Sequence, residues 1–476
     1  MKKRTHLTDK IQAKVQRILR LSVLCMIGTG LMQQNCRAQK DDSLMLRKIT
    51  NDILLHGQCY PWLGYMCNKI GPRLSGSPQA AAAVEYVYQL MKSLHVDTVY
   101  KQDCMVPHWV RGDKETAKIL TDNAGEFSAA ICALGGSVAT PPEGITAKVA
   151  EVDSWDELKQ LGTAGRLKGK IVFYNRPFDE TLVQTFAAYG KAVDQRVNGP
   201  SAAARYGAVA TIVRSMTNRL DDNPHTGNMG YNDSLPKVPC CAISTAGAEQ
   251  LSSLLKKDSS LKFYFKMSCQ TLPDEKSSNV VGEIKGSRHP EQIIVIGGHL
   301  DSWDLAQGAN DDGSGVMQSI EVLRVFKALG IRPERTIRVV AFMNEENGDR
   351  GGQKYAELAK LHHEKTIAAI ESDAGGFSPR GFGITGEPKQ RKEIQAWEKL
   401  FYPYGVYDFT GEGGGTDIDP LKDQGTILIG LLPDSQRYFD IHHSAMDTFE
   451  NVNKRELELG AASLAMMAYL ISEQGL

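Results

Sequence analysis

From residue 278 onward, apolar and polar positions change period in a regular succession of blocks. EQIIVI at 291–296 and TIRVVAF at 336–342 are predominantly apolar runs of strand length, and shorter runs lie at 367–370 and 426–431. Between and after them, 316–329, 352–361 and 452–473 carry apolar residues at helical spacing, the first stopping at Gly330. Strands buried on both faces lose their alternation. The pattern therefore predicts an α/β fold, a mainly parallel mixed sheet flanked by helices. In such a sheet a ligand sits outside the carboxyl ends of the strands.

The first half of the chain is patterned differently. Ser77 as N-cap and Pro78 in the first turn open a helix over AAAVEYVYQLMKSL. Over 116–275 the apolar runs become short and β-rich (147–152, 169–174, 208–213), separated by Gly, Pro and Asn turns, which predicts a separate small domain. At the N-terminus, Lys2, Lys3 and Arg4, then Arg17 and Arg20, precede LSVLCMIGTGLM at 21–32, a run too short to span a bilayer. It predicts a signal peptide over 1–38, cleaved after Ala38, and a secreted or periplasmic protein. Cys36 follows Asn35 where a lipidated cysteine would follow a small residue, so a lipoprotein is disfavoured.

Composition narrows the function classes. The 476 residues are 42% hydrophobic and 23% charged with net charge -1, which gives neither a membrane span nor a polybasic surface for nucleic acid. Of nine cysteines, Cys25 and Cys36 fall in the leader. The remaining seven contain no CxxC pair; buried free thiols are expected, with Cys59 and Cys67 close enough in sequence to bridge.

The chemistry concentrates where strands end. GGHLDSWDLAQGANDDGSG at 297–315 places His299 just after the first strand; Glu345 and Glu346 follow the second and Asp373 follows the third. Singly, Asp311-Asp312 reads as a solvated turn and Glu345-Glu346 as an exposed helix start. Gathered at successive strand ends they favour a metal, and oxygen and imidazole ligands without thiolate suit catalytic zinc. Other chemistries fit less well. There is no GxSxG, HHE at 362–364 lacks the second histidine of HExxH, and GEGGGTD at 411–417 matches neither phosphate-loop pattern.

The motifs HLDSW, GANDDGSG, NEE at 344–346, ESD at 371–373, HHSAMDT at 442–448 and IGPRLSGS at 70–77 resemble the co-catalytic di-zinc aminopeptidase and glutamate carboxypeptidase family. The resemblance implies two zinc ions per chain, His299 and Asp373 on one, Glu346 and His443 on the other, and Asp311 bridging. It also implies Glu345 as general base, Asp301 as the carboxylate that orients His299, and a non-proline cis bond between Asp311 and a structural Asp312. The spacing to Asp447-Thr448 selects His443 over His442. The implied domains are the catalytic peptidase domain in two segments, 39–115 and 276–476, around a protease-associated insert at 116–275. The expected activity is hydrolysis of dipeptides or short peptides, with a possible homodimer. Aminopeptidase, dipeptidase and carboxypeptidase specificities stay open, because Gly415-Thr416-Asp417 stands where many family aminopeptidases have Ser-Asp-His. A glutaminyl-peptide cyclotransferase and a non-catalytic, receptor-like scaffold are the alternatives; the scaffold would lack a ligand or the base, and here all are present. HTGNMGYND at 225–233 is a candidate lid over the site.

Overall fold

A computed structural model describes residues 42–122 and 125–476. The expected signal peptide over 1–38, with Cys25 and Cys36, lies outside the described residues. The chain divides into two compact units, 1–51, helical in its described part, and 52–476.

In the second unit the strands run in chain order as follows. β1 is Thr98–Val110. β2 (Thr116–Thr121), β3 (Gly125–Ser128), β4 (Ile131–Ala133) and β5 (Ile145–Val152) come next, then β6 (Ile171–Tyr174), β7 (Ala210–Arg214), β8 (Cys240–Ile243) and β9 (Lys262–Lys266). β10 (Gln270–Ile284), β11 (His289–His299), β12 (Arg335–Phe342), β13 (Lys365–Glu371), β14 (Pro379–Thr385) and β15 (Ile427–Pro433) complete the set.

They form two sheets. The first has the order β1-β10-β12-β11-β13-β15-β14. Its centre, β12-β11-β13-β15, is parallel, and β10 and β14 flank it antiparallel, with β1 antiparallel to β10. Ile293 and Val295 of β11 share a buried cluster with Tyr355, Ala356 and Ala359 of the helix Arg350–Leu361. Side chains alternate along a strand, so Ile294 and Ile296 point to the other face, where the helices Ser314–Ala328 and Lys454–Gln474 pack together and against β11. The sheet is therefore covered on both sides, as its predominantly apolar runs demand. Ser77 caps the helix Pro78–Ser93, its hydroxyl accepting from the Ala80 amide at 3.1 Å.

Residues 116–266, between the paired strands β1 and β10, form the second sheet, β3-β2-β9-β5-β6-β7-β8-β4. It holds more helix than its short apolar runs indicate, at Trp155–Thr163, Thr185–Ala192, Gly199–Ala204 and Thr245–Leu255. This segment packs onto the first sheet's loops at two places. Trp303 joins its core beside Phe263 and Ile212, and Phe178 and Ala188 meet Phe377, Tyr438 and Phe439. All seven described cysteines are free and buried, including Cys59 and Cys67. Among the described residues no helix is long and apolar enough to cross a membrane.

Candidate metal centre

Three strands deliver the site. His299 ends β11, Glu345 and Glu346 follow β12, and Asp373 follows β13, all at the carboxyl edge of the parallel centre. Asp311 comes from the irregular turn Ala309–Gly313, and His443 from the loop after β15.

The loop 300–310 must be held, because apolar burial alone does not fix a polar turn. Arg73 does much of this. Its guanidinium is fully buried and donates to the carbonyls of Leu300 (2.5 Å), Gln307 (2.6 Å) and Gly308 (2.9 Å), joining both ends of the loop. Asp447 fixes the far end. Its Oδ1 accepts from the Asn310 amide at 2.8 Å and its Oδ2 from the Asp311 amide at 3.1 Å. Asp312, across a cis bond from Asp311, turns away from the cluster and accepts from the amides of His299 (3.1 Å) and Gly315 (3.0 Å). Its carboxylate lies so close to Gly298 and Gly315 that a Cβ on either would strike it, which explains both glycines.

Five predicted ligands converge. His299 Nε2 lies 3.2 Å from Asp311 Oδ1 and 3.5 Å from Asp373 Oδ1. His443 Nε2 lies 3.2 Å from Asp311 Oδ2 and 3.2 Å from Glu346 Oε2. Asp311 thus stands between two groups, each of one imidazole and one further carboxylate. The tautomers follow from the other ring nitrogens. His299 Nδ1 is 3.0 Å from the carbonyl of Asp301 and His443 Nδ1 is 3.3 Å from the carbonyl of Thr226. A carbonyl only accepts, so Nδ1 carries a proton in both rings and Nε2 is the nitrogen each ring turns to the carboxylates. The carboxylate of Asp301 is 3.9 Å from His299 and instead accepts from the amides of Asn344 (2.7 Å) and Glu345 (3.1 Å). Asp301 therefore orients the ring by its backbone and the two-glutamate turn by its side chain.

His442 stacks on His443, ring centroids 3.6 Å apart, and lies among Tyr189, Tyr438 and Phe439. Its Nε2 is 3.7 Å from Asp311, farther than that of His443.

The electrostatics describe carboxylates crowded without a matching cation. Burial raises Glu346 to about 7, with Asp311 adding to it and His443 opposing. Burial raises Glu345 well above the usual range; His299 opposes, while Asp373, Glu346 and Asp311 add. Burial would lower both ligand imidazoles. Asp373 and Asp311 outweigh it at His299, and Glu346 and Asp311 outweigh it at His443, so both are held well above the ordinary value. Asp311 Oδ2 and Asp373 Oδ1 are buried without a hydrogen-bond partner, and among the described residues no lysine or arginine forms an ion pair with any of the five ligands. A divalent cation supplies the charge such a cluster needs.

Three contributors carry no signal of their role in sequence: the Thr226 carbonyl, from 217 residues away, the amide of Trp303, which donates to Glu346 Oε1 at 3.2 Å, and Arg73, a visible part of IGPRLSGS with no chemistry readable from its neighbours. The segment containing Thr226 does reach the site, as its amide also donates to the His443 carbonyl at 2.8 Å.

The sequence profile of peptidase family M28 matches residues 279–468. Carboxypeptidase Q of Mus musculus is 35% identical over 451 residues, covering 93% of either chain. A solved peptidase M28 precursor from Shewanella amazonensis superposes with TM-score 0.85 at 32% identity, covering 91% of this chain and 97% of its own. A solved zinc aminopeptidase from Bacillus subtilis shares the fold at 22% identity, TM-score 0.62, over 87% of this chain and 94% of its own.

Proposed function

The chain belongs to peptidase family M28 and is a metallopeptidase, a hydrolase of peptide bonds, and on that premise we propose that it is an exported exopeptidase acting on dipeptides or short peptides with two zinc ions. The observation that carries this reading is the placement of Asp311 between two imidazole–carboxylate groups. His299, Asp311 and Asp373 would hold one ion; Asp311, Glu346 and His443 would hold the other. The donor set fits zinc, being oxygen and imidazole with no thiolate. The relatives' names, carboxypeptidase Q and zinc aminopeptidase, support an exopeptidase and that metal.

Bound there, the ions supply acidity to a water and polarise a peptide carbonyl. The chain does the rest. Glu345 is adjacent to a ligand yet makes no ion pair itself among the described residues, and its raised carboxyl suits a group that takes a proton and gives it back. It receives the proton of the attacking water and returns it to the leaving amine. Asp301, by holding the amides of Asn344 and Glu345, fixes that carboxylate relative to Glu346. His443 sits at φ 58°, a conformation uncommon for a side-chain-bearing residue and here held by its neighbours.

Substitution of the adjacent glutamates tests this assignment. Glu345→Gln should keep its zinc and lose about 10² to 10⁴-fold in kcat, the usual range for a positioned proton acceptor. Glu346→Gln should lose zinc, with activity recovering in part at high zinc. Loss of metal from Glu345→Gln, with Glu346→Gln loaded and slow, would reverse the two roles.

A further inference from the structure

We infer that Arg196, on the segment forming the second sheet, is a positioning residue for the metal ligand His443, and that it serves one of the two zinc ions and not the other. The inference rests on the two-zinc reading above.

Arg196 is buried and forms no ion pair with a carboxylate among the described residues, so its donors are committed to neutral oxygens. Nη1 donates to the Thr226 carbonyl at 3.3 Å, Nε to the Asn228 carbonyl at 3.1 Å and Nη2 to the Tyr189 hydroxyl at 2.7 Å. The Thr226 carbonyl is the one that receives Nδ1–H of His443. A carbonyl oxygen has two lone pairs, and here the guanidinium takes one and the imidazole the other. Fixing this oxygen fixes the direction from which the ring is held, and so where Nε2 points.

The contact with His443 has a second strand. The Thr226 amide donates to the His443 carbonyl at 2.8 Å, so residues 226 and 443 grip each other through backbone and ring together. His443 needs such a grip, since its positive φ is not one its own side chain favours. Thr226 is secured from the opposite side as well, its hydroxyl donating to the Ala133 carbonyl at 2.9 Å. Tyr189, whose hydroxyl Arg196 holds, also packs edge-on against His442, the ring stacked on His443. All these lines converge on the Glu346–His443 side. His299 is oriented instead by the Asp301 carbonyl, two residues along its own chain, and Asp373 follows a central strand of the first sheet. One half of the centre is therefore complete within the first sheet and its loops, while the other is completed by the intervening segment.

The asymmetry is directly measurable. Zinc affinity is titrated against a chelator for the full-length wild-type protein and for Arg196→Met and Arg196→Lys, with elemental analysis of each. We expect Arg196→Met to hold one ion as the wild type does and the other 10- to 100-fold more weakly, the usual cost of losing a group that orients a metal-bound histidine. Arg196→Lys, which keeps a donor but not the fork, should recover part of that loss. Gly227→Ala is a second route to the same state, because a Cβ there would strike the Arg196 guanidinium; it should weaken the same single ion. Folded Arg196→Met that binds both ions as tightly as the wild type overturns the inference, as does equal weakening of both. A wild-type protein that binds no zinc would instead overturn the two-zinc reading on which it rests.

Discussion

At the scale of single residues, the site works by giving chemically identical neighbours different surroundings. The histidine pair shows this most simply. His443 meets Asp311 and Glu346 at 3.2 Å each, whereas His442 is packed among Tyr189, Tyr438 and Phe439 with its nearest approach to Asp311 at 3.7 Å. We expect His443→Ala to lose metal and activity and His442→Ala to retain most of its zinc, as measured by elemental analysis; the reverse pattern would exchange the two assignments. Arg73 presents another case, a buried cation whose donors go to three carbonyls of the loop that carries Asp311. Arg73→Lys keeps the charge but cannot reach all three carbonyls, so metal affinity should fall even though no ligand changes. Unchanged zinc affinity in that variant would show that the loop holds its shape without the fork. His299, Glu345, Glu346 and Asp373 stood out in the sequence because each follows an apolar run that can be recognised as a strand, whereas Asp311 and His443, and the roles of all six, came only from the resemblance of GANDDGSG, HHSAMDT and the other motifs to the family. The roles of Thr226 and Arg196 were not legible, since one acts through a carbonyl and both lie far along the chain from the histidine they hold.

At the scale of elements, legibility followed burial. β11, β12, β13 and β15 are buried on both faces, and their apolar runs stand out even though the strands extend one to three residues beyond them at most ends. β1 and β10 did not stand out. Both are long and paired at one side of the sheet; each contains a proline, and the first eight residues of β10, QTLPDEKS, are largely exposed, so no apolar period survives there. β14, PRGFGIT, is hidden by its two glycines, and its neighbours explain them, since a Cβ on Gly381 or Gly383 would meet the backbone of 408 or 412–413. The helix Pro78–Ser93 was plain because its start is written locally. Ser77→Ala should cost about 1 kcal/mol of stability by orphaning the Ala80 amide, read as a lower melting temperature with unchanged zinc content. A change in metal content would instead tie this cap to the site.

At the scale of the whole molecule, the buried acids couple metal, pH and stability. Burial first, then neighbouring carboxylates, raises Asp447 to about 6, Glu346 to about 7 and Glu371 to about 8. A carboxyl raised in the folded state stabilises that state when protonated, and this contribution disappears as pH rises through the folded value. The chelated protein should therefore lose stability progressively from about pH 4, where these carboxyls ionise in the unfolded chain, up to about pH 8. Zinc binding has the opposite slope, because Glu346 must be ionised and both ligand imidazoles must give up a proton. The difference in melting temperature between zinc-loaded and chelated protein should widen from pH 5.5 to 8; a constant difference would remove the link between these acids and the metal. The central claim, that Asp311 bridges two ions on which hydrolysis depends, is tested most directly by metal content against activity. Purified protein is stripped with a chelator, reloaded with zinc stepwise, and assayed on a dipeptide at each step. The account predicts two zinc ions per chain at saturation and activity lost on stripping and restored on reloading; full activity in protein without stoichiometric metal would contradict it.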